Sequence, residues 1–228
     1  MAAHLRLSAR LLRERSAGSP CSRLMHHLFT LFERTVPSAQ SLRLACRAGC
    51  AHCCKQLVTV SAPEAFMIAQ QIRERPASRD AVIAAAGNLS GLLRTGRWMR
   101  TPDCSFLSSM ACSIYDARPF SCRGFVSRNV KACESFALTG SAVPMPEDFV
   151  AVLNACRMIL VAAIRLAGLK DATFELNAAV TAALAMPDAE QQWLQGEPVF
   201  AGIETGSPPP PDFELQITRM VAFVAPTL

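Results

Sequence analysis

The chain has 228 residues, a formal charge of +5, ten cysteines and a single tyrosine, and it is rich in Ala, Leu and Arg. That length can bury a core of its own, so no disulfide framework is needed for folding. The charge is too modest for a dedicated polyanion binder, and the composition favours helices, because Ala, Leu and Arg lose little on entering one.

Residues 1–47 hold eight arginines against Glu14 and Glu33. No aromatic residues are interleaved for base stacking, so this reads as a solvated basic face, with nucleic acid a minor alternative. The first twenty residues carry no apolar run longer than Leu11-Leu12, hence no secretory h-region. Ten cysteines without an export signal imply a reducing compartment, and the expected location is cytoplasmic.

Leu24, Leu28, Leu31 and Phe32 line one stripe of a helix over 22–35, which Pro37 stops. A tight cysteine loop broken by Gly49 follows, then an extended segment from Gln56 to Val60. Ser61-Ala62-Pro63-Glu64 has the form of a capping box opening a helix that runs to Arg75, before Pro76. A second helix is expected over 78–95. Residues 97–145 are rich in turn formers and poor in regularly spaced apolar residues, so their order is expected to depend on a bound metal.

Three more helices are predicted, over 146–169, 171–186 and 188–195. The stretch from Phe149 to Leu169 is the most apolar. Asn154, Arg157 and Arg165 recur on one of its faces, so it reads as an amphipathic core helix and no membrane span is expected. Residues 207–211 read as an extended polyproline linker, and Phe213 to Val224 as an apolar segment that docks on the body or on a partner. The expected fold class is mainly α: a small helical domain with metal-stapled cysteine-rich loops and appended C-terminal helices. The units are a basic arm and helix (1–41), a cysteine-cluster domain (42–136), C-terminal helices packed on it (137–196) and a Pro-rich tail (197–228).

The chemistry lies in the cysteines. Four fall within nine residues, Cys46, Cys50, Cys53 and Cys54, and four more follow at Cys104, Cys112, Cys122 and Cys133. Closely spaced thiolates are soft, anionic ligands that favour zinc, copper(I) or iron–sulfur iron over hard cations. Cys50-x2-Cys53 lets two sulfurs reach one metal from a tight turn, with Gly49 relieving backbone crowding. The adjacent Cys53 and Cys54 suit ligation of different metals, or one ligand and one spare thiol. Eight thiols suffice for two four-sulfur sites, and equally for one site with thiols to spare. Four thiolates on a divalent ion leave a net charge of about −2, which Arg118 and Arg123 are placed to offset.

Cys21 and Cys156 read as packing residues. His52 reads as a loop histidine, and His26 and His27 point apart by about 100° on their helix and cannot share a metal. Tyr115 and Phe120 are expected to wall the loop from solvent.

The run Cys-x3-Cys-x2-Cys-Cys, then Cys104-Ser-Phe-Leu, then Cys112-Ser-Ile-Tyr-Asp-Ala-Arg-Pro-Phe-Ser-Cys122-Arg-Gly-Phe, resembles the YkgJ-type cysteine cluster family of zinc- or iron-chelating CxxCxxCC domains. The resemblance covers about residues 46–136, and Cys133 fits the family's later cysteine. It implies metal binding and little else about activity. The first gap here is three residues where the family has two, which makes Cys46 the outlying ligand.

Cys46-x3-Cys50-x2-Cys53 is also the spacing of radical S-adenosylmethionine enzymes. The alternating strands and glycine-rich stretch those enzymes need are missing from this sequence. A related motif occurs in flagellin lysine methylases with an iron–sulfur cluster, so an iron–sulfur-dependent protein-modifying enzyme of methyltransferase type stands as one alternative. A metal chaperone or interaction module stands as another. No nucleophile–base pair, Walker loop, GxGxxG or HExxH occurs, and nothing names a substrate or protein partner. The leading expectation is a metal-binding protein that holds zinc or iron, the latter as an iron–sulfur cluster in one version, through thiolates.

Overall fold

Apolar stripes at helical spacing become helices through most of the chain in a computed structural model, which describes residues 1–14, 18–94, 103–203 and 211–227, with only the backbone for 88–94. The fold is mainly α. In chain order come α1 (Ala2–Arg13), α2 (Pro20–Thr35), β1 (Thr59–Ser61), α3 (Ala62–Ile72) and α4 (Pro76–Arg94). The middle holds a two-residue hairpin, β2 (Leu107–Ser108) with β3 (Ala111–Cys112), then α5 (Phe120–Arg123) and α6 (Val130–Thr139). The last part is α7 (Glu147–Leu166), β4 (Thr173–Glu175), α8 (Leu176–Ala185), α9 (Ala189–Leu194) and α10 (Pro211–Val224).

Two helical groups share one core. In the first, α7 packs on α1, α2 and α10; in the second, α8 packs on α3 and α4, and α2 bridges to α3. The antiparallel pair β1–β4 joins the starts of α3 and α8, with Thr59 opposite Glu175 and Ser61 opposite Thr173.

The α2 stripe forms as the spacing predicts. Leu24, Leu28 and Phe32 are buried together with Met25 and Phe29, and Leu31 is half-buried beside them. The helix starts at Pro20 because Ser19 Oγ caps the Ser22 N–H at 2.9 Å and proline suits the first helical position. The capping segment before α3 also holds, with Glu64 Oε2 accepting from the Ser61 N–H at 2.8 Å.

Several expectations are corrected. The arm contains a helix, α1, whose Leu5, Ala9 and Leu12 are buried while Arg10 and Arg13 stay exposed. The helix expected from Asp171 begins at Leu176, because Thr173–Glu175 pairs with β1 and Glu175 then caps the Ala178 N–H at 2.8 Å. The turn-rich middle contains α6, capped by Asn129 and closed at Gly140 in a left-handed conformation. It is also anchored by side chains: Phe106, Ile114, Ala117 and Phe120 are buried in the common core. Their spacing is irregular, which hides them from a periodicity reading, but burial of each large one contributes about 1.5–3 kcal/mol. The segment therefore has fixings other than a metal. Of the residues read as a linker, 207–210 lie outside the described residues, and Pro211 opens α10.

Helix α7 is long and apolar enough to cross a membrane by length and composition. Its apolar residues Phe149, Leu153, Ile159, Leu160 and Ile164 are buried against the neighbouring helices. Arg165 on its polar face makes paired bonds to Glu214 of α10, at 2.6 and 2.8 Å. Ile217 and Val224 of α10 are buried, so the C-terminal segment docks on the body.

Candidate metal centre

Three stretches converge beside β1. The first is the loop of residues 45–55. Gly49 takes φ +79°, which a residue with a Cβ adopts at a cost, and the turn closes with the Cys50 N–H donating to Arg47 O at 3.1 Å. A 3-10 turn follows over His52–Lys55 and carries Cys53 and Cys54.

The second stretch is residues 103–119. The Cys104 N–H donates to the Cys54 carbonyl at 2.9 Å, which lays this loop on the first. The hairpin then pairs Leu107 with Cys112, and the Leu107 N–H donates to Cys104 O at 2.8 Å, so Cys112 returns beside Cys104.

The third stretch supplies Cys122 from α5 and Cys133 from α6. Glu64 positions α5: its Oε1 accepts from the Phe120 N–H at 2.7 Å while Oε2 caps α3. Helix α6 packs on the 3-10 turn. Ser127, fully buried, joins the outer parts. Its carbonyl accepts from the Ala45 N–H at 2.8 Å and lies 4.0 Å from Cys46 Sγ, and its side chain accepts from the Asn129 N–H at 3.0 Å, at the cap of α6.

The thiols therefore feel one another across about ninety residues of chain. The interaction of the neighbouring Cys53 and Cys54 thiols holds Cys54 below its ordinary range and drives Cys53 well above it, helped by burial. Burial pushes Cys104 up to about 11, with the charges of Cys112, Glu175 and Cys53 adding to it. Burial also raises Cys112 and, much further, Cys122, whose thiol meets the charges of Cys104, Cys53, Cys112 and Glu64. Cys133 is raised by burial and by Cys46, Cys50 and Cys53. Crowded, desolvated thiols resist ionising together, and a bound cation reverses that balance. Among the described residues, no group of three or more Cys, His, Asp or Glu side chains is already arranged to hold a metal ion. What the fold gathers is the backbone that carries the donors.

Of the two arginines expected to offset this charge, only Arg118 acts on the thiols, lowering Cys53 and Cys112. Arg123 is corrected to a structural role. It is buried, lies 3.9 Å over the Phe29 ring, and bonds Glu33 at 2.5 Å and the carbonyls of Arg118 and Asp116. Tyr115 does not wall the loop. It is exposed, and its ring carries the Arg118 guanidinium 3.9 Å from its centre. Phe120 is buried, edge-on to Phe29 and Phe32 in the core.

Cys21 and Cys156 are buried among apolar side chains, away from this group. His26 is exposed, and His27 stacks on His4 with ring centres 5.4 Å apart. His52 is half-buried at the start of the 3-10 turn. A separate cleft of about 790 Å³, bordered by Arg13, Phe66, Arg73 and Glu190, is lined by no cysteine.

Three supports were not legible as such. Glu64 shows in the sequence as a cap, but its second bond, to α5, depends on the tertiary fold. Ser127 carries no sequence signal. Beneath Cys104, Ser105 Oγ donates to Asn177 Oδ1 at 2.6 Å, and Asn177 donates to Glu175 at 2.8 Å, a buried chain formed only when α8 meets the loop.

Residues 45–140 match the model of the CxxCxxCC family, described as a "putative zinc- or iron-chelating domain". The match contains all eight clustered cysteines and neither Cys21 nor Cys156. No curated protein and no solved structure matches the chain.

Proposed function

We propose that this protein, whose residues 45–140 match a zinc- or iron-chelating domain, binds zinc or iron through the thiolates of Cys46, Cys50, Cys53, Cys54, Cys104, Cys112, Cys122 and Cys133. The observation that carries this reading is the convergence of three cysteine-bearing stretches on one edge of a helical frame, with Cys53 sensing thiols from all of them. Thiols crowded this way are poor neighbours without a cation and good ligands with one.

Bound zinc would fill its coordination with sulfur and tie the loops together; bound iron, alone or in an iron–sulfur cluster, would add electron transfer. The chain's own part is to gather the ligands. Glu64 seats α5, Ser127 joins the first loop to α6, and Arg118 offsets negative charge. The apolar anchors Phe106, Ile114 and Phe120 support a frame formed ahead of the metal, suited to holding or passing on an ion as well as to structural stapling.

Elemental analysis and a visible spectrum of protein purified anaerobically test the reading. Zinc in a colourless protein, or iron with a broad absorption near ~400 nm from thiolate-to-iron charge transfer, is expected. Protein free of both metals, and unable to take up either when reduced, would overturn it.

A further inference from the structure

We infer that the exposed cations Arg43, Arg47, Arg128 and Lys131 form a docking surface for an acidic segment of another protein, beside the exposed Cys46 at the edge of the cysteine loop. The inference goes beyond the metal reading and holds whichever metal is bound.

Two segments far apart in sequence build the patch. Residues 36–51 and 124–133 together hold these four cations and no Asp or Glu. Arg128 Nε donates to the Leu42 carbonyl at 2.7 Å, and the Ala45 N–H donates to the Ser127 carbonyl at 2.8 Å, so the fold lays the segments side by side. Arg43 and Arg47 come from the first, on either side of Cys46 in sequence. Arg128 and Lys131 come from the second, on either side of the α6 cap at Asn129. Elsewhere the chain gives its cations carboxylate partners, as at Arg10, Lys55, Arg123 and Arg165. Among the described residues none of the four forms an ion pair, not even with the nearby Glu134 of α6 or with Glu147 and Asp148 at the start of α7.

Like charges on adjoining segments repel, and no carboxylate of this chain relieves them. Arg43 is also strained. Its φ of +51° lies in the left-handed region, which Gly or Asn takes more easily, and strain of this kind concentrates at functional positions. An anionic partner would relieve the repulsion, and planar guanidinium groups suit carboxylates in bidentate contact. Nucleic acid fits less well, because neither segment exposes an aromatic ring for base stacking. A lipid surface fits less well too, because neither exposes a large apolar side chain to enter a bilayer. An acidic protein segment needs neither.

The test is fluorescence anisotropy of a short labelled peptide of Asp, Glu and Gly, titrated at low salt with the full chain as purified. Saturable binding is expected. Arg47 and Lys131 are exposed and take no part in the bonds that join the segments, so Arg47→Glu/Lys131→Glu should leave the fold intact. It should weaken binding about tenfold by reversing two charges. Arg79→Glu/Arg219→Glu changes the net charge equally at exposed positions elsewhere and should leave affinity within about twofold. Arg43→Gly should weaken binding about threefold while keeping or raising the thermal midpoint, because charge and strain go together. Equal weakening by the two reversed pairs, or no binding by the unaltered chain, would overturn the inference. Tighter binding of a single-stranded oligonucleotide or of phosphatidylserine vesicles through Arg47 and Lys131 would also overturn it and give the patch to that ligand. Metal content separates this result from the thiolate reading. Peptide binding by a chain that holds no metal would sink that reading alone. Loss of metal from Arg47→Glu/Lys131→Glu with peptide binding intact would assign these cations to the metal centre and overturn the docking surface. If circular dichroism shows that variant unfolded, Arg43→Gly decides: weaker binding upholds the patch, and unchanged binding overturns it.

Discussion

Glu64 Oε1 accepts the Phe120 backbone N–H at 2.7 Å while the other oxygen of the same carboxylate caps α3 through Ser61. One buried side chain thus fixes both a helix start and the short helix that carries Cys122. Removing it should unseat a ligand far from residue 64 in sequence. Glu64→Ala is expected to lower stability by about 2 kcal/mol, the loss of a cap plus an unmet buried N–H, and to lower metal content with it. Urea unfolding and metal analysis check this; full metal content with an unchanged midpoint would remove Glu64 from the site's support.

Gly124 ends α5 against α7. A Cβ there would overlap Leu153 Cδ2 and lie 3.0 Å from the Phe120 carbonyl. Gly124→Ala should therefore push α5 off α7 and cost about 1–3 kcal/mol, as overpacking does. Gly87→Ala, where a Cβ meets nothing within 4 Å, is the control and should be neutral or better. Equal thermal midpoints for the two variants would show that α5 is not held by close approach.

Cys21 and Cys156 are buried core residues outside the gathered eight. Cys21→Ala and Cys156→Ala should keep the metal-to-protein ratio of the unaltered chain, whatever small stability they lose. Cys104→Ala and Cys112→Ala should each lower it. A drop in metal on replacing Cys156 would redraw the ligand set.

The α7–α10 contact should respond to acid. Hydrogen bonding to Arg165 holds the Glu214 carboxyl below its usual range, and the partnership raises Arg165 further, so Arg165 stays charged throughout. A depressed carboxyl contributes stability above its unfolded pKa of about 4.3 and loses it as pH falls through the lower folded value. Hydrogen exchange in α10 should therefore be flat from neutral pH down to about pH 5 and accelerate, beyond its intrinsic pH dependence, only below about pH 4. The effect is small because the pair is partly exposed. Glu214→Gln should abolish it; an unaltered acid response in that variant would assign the contact to Ile217 and Val224 instead.

What the residues announce by themselves are features set by neighbours along the chain. The α2 stripe, the Ser61–Glu64 cap, the amphipathic α7 and the tight turn at Gly49 depend on spacing within a few residues, and all four form. The cysteine density and the Cys112-to-Cys122 block likewise marked out about residues 46–136 as resembling a zinc- or iron-chelating domain, and the family model matches residues 45–140. Tertiary contacts decided the rest. Thr173–Glu175 has helical surroundings but becomes a strand because β1 offers it backbone partners. Phe106, Ile114 and Phe120 follow no period, and only the closed core shows that they anchor the loop. Arg118 and Arg123 are indistinguishable in sequence, yet one faces the thiols and the other is clamped between Phe29 and Glu33. Which cysteines neighbour which was likewise beyond the sequence, because the Cys104 N–H reaches the Cys54 carbonyl, and Cys46 reaches the Ser127 carbonyl, only where the chain folds back on itself. Local periodicity is fixed by covalent spacing, whereas the grouping of distant ligands depends on how the helices pack.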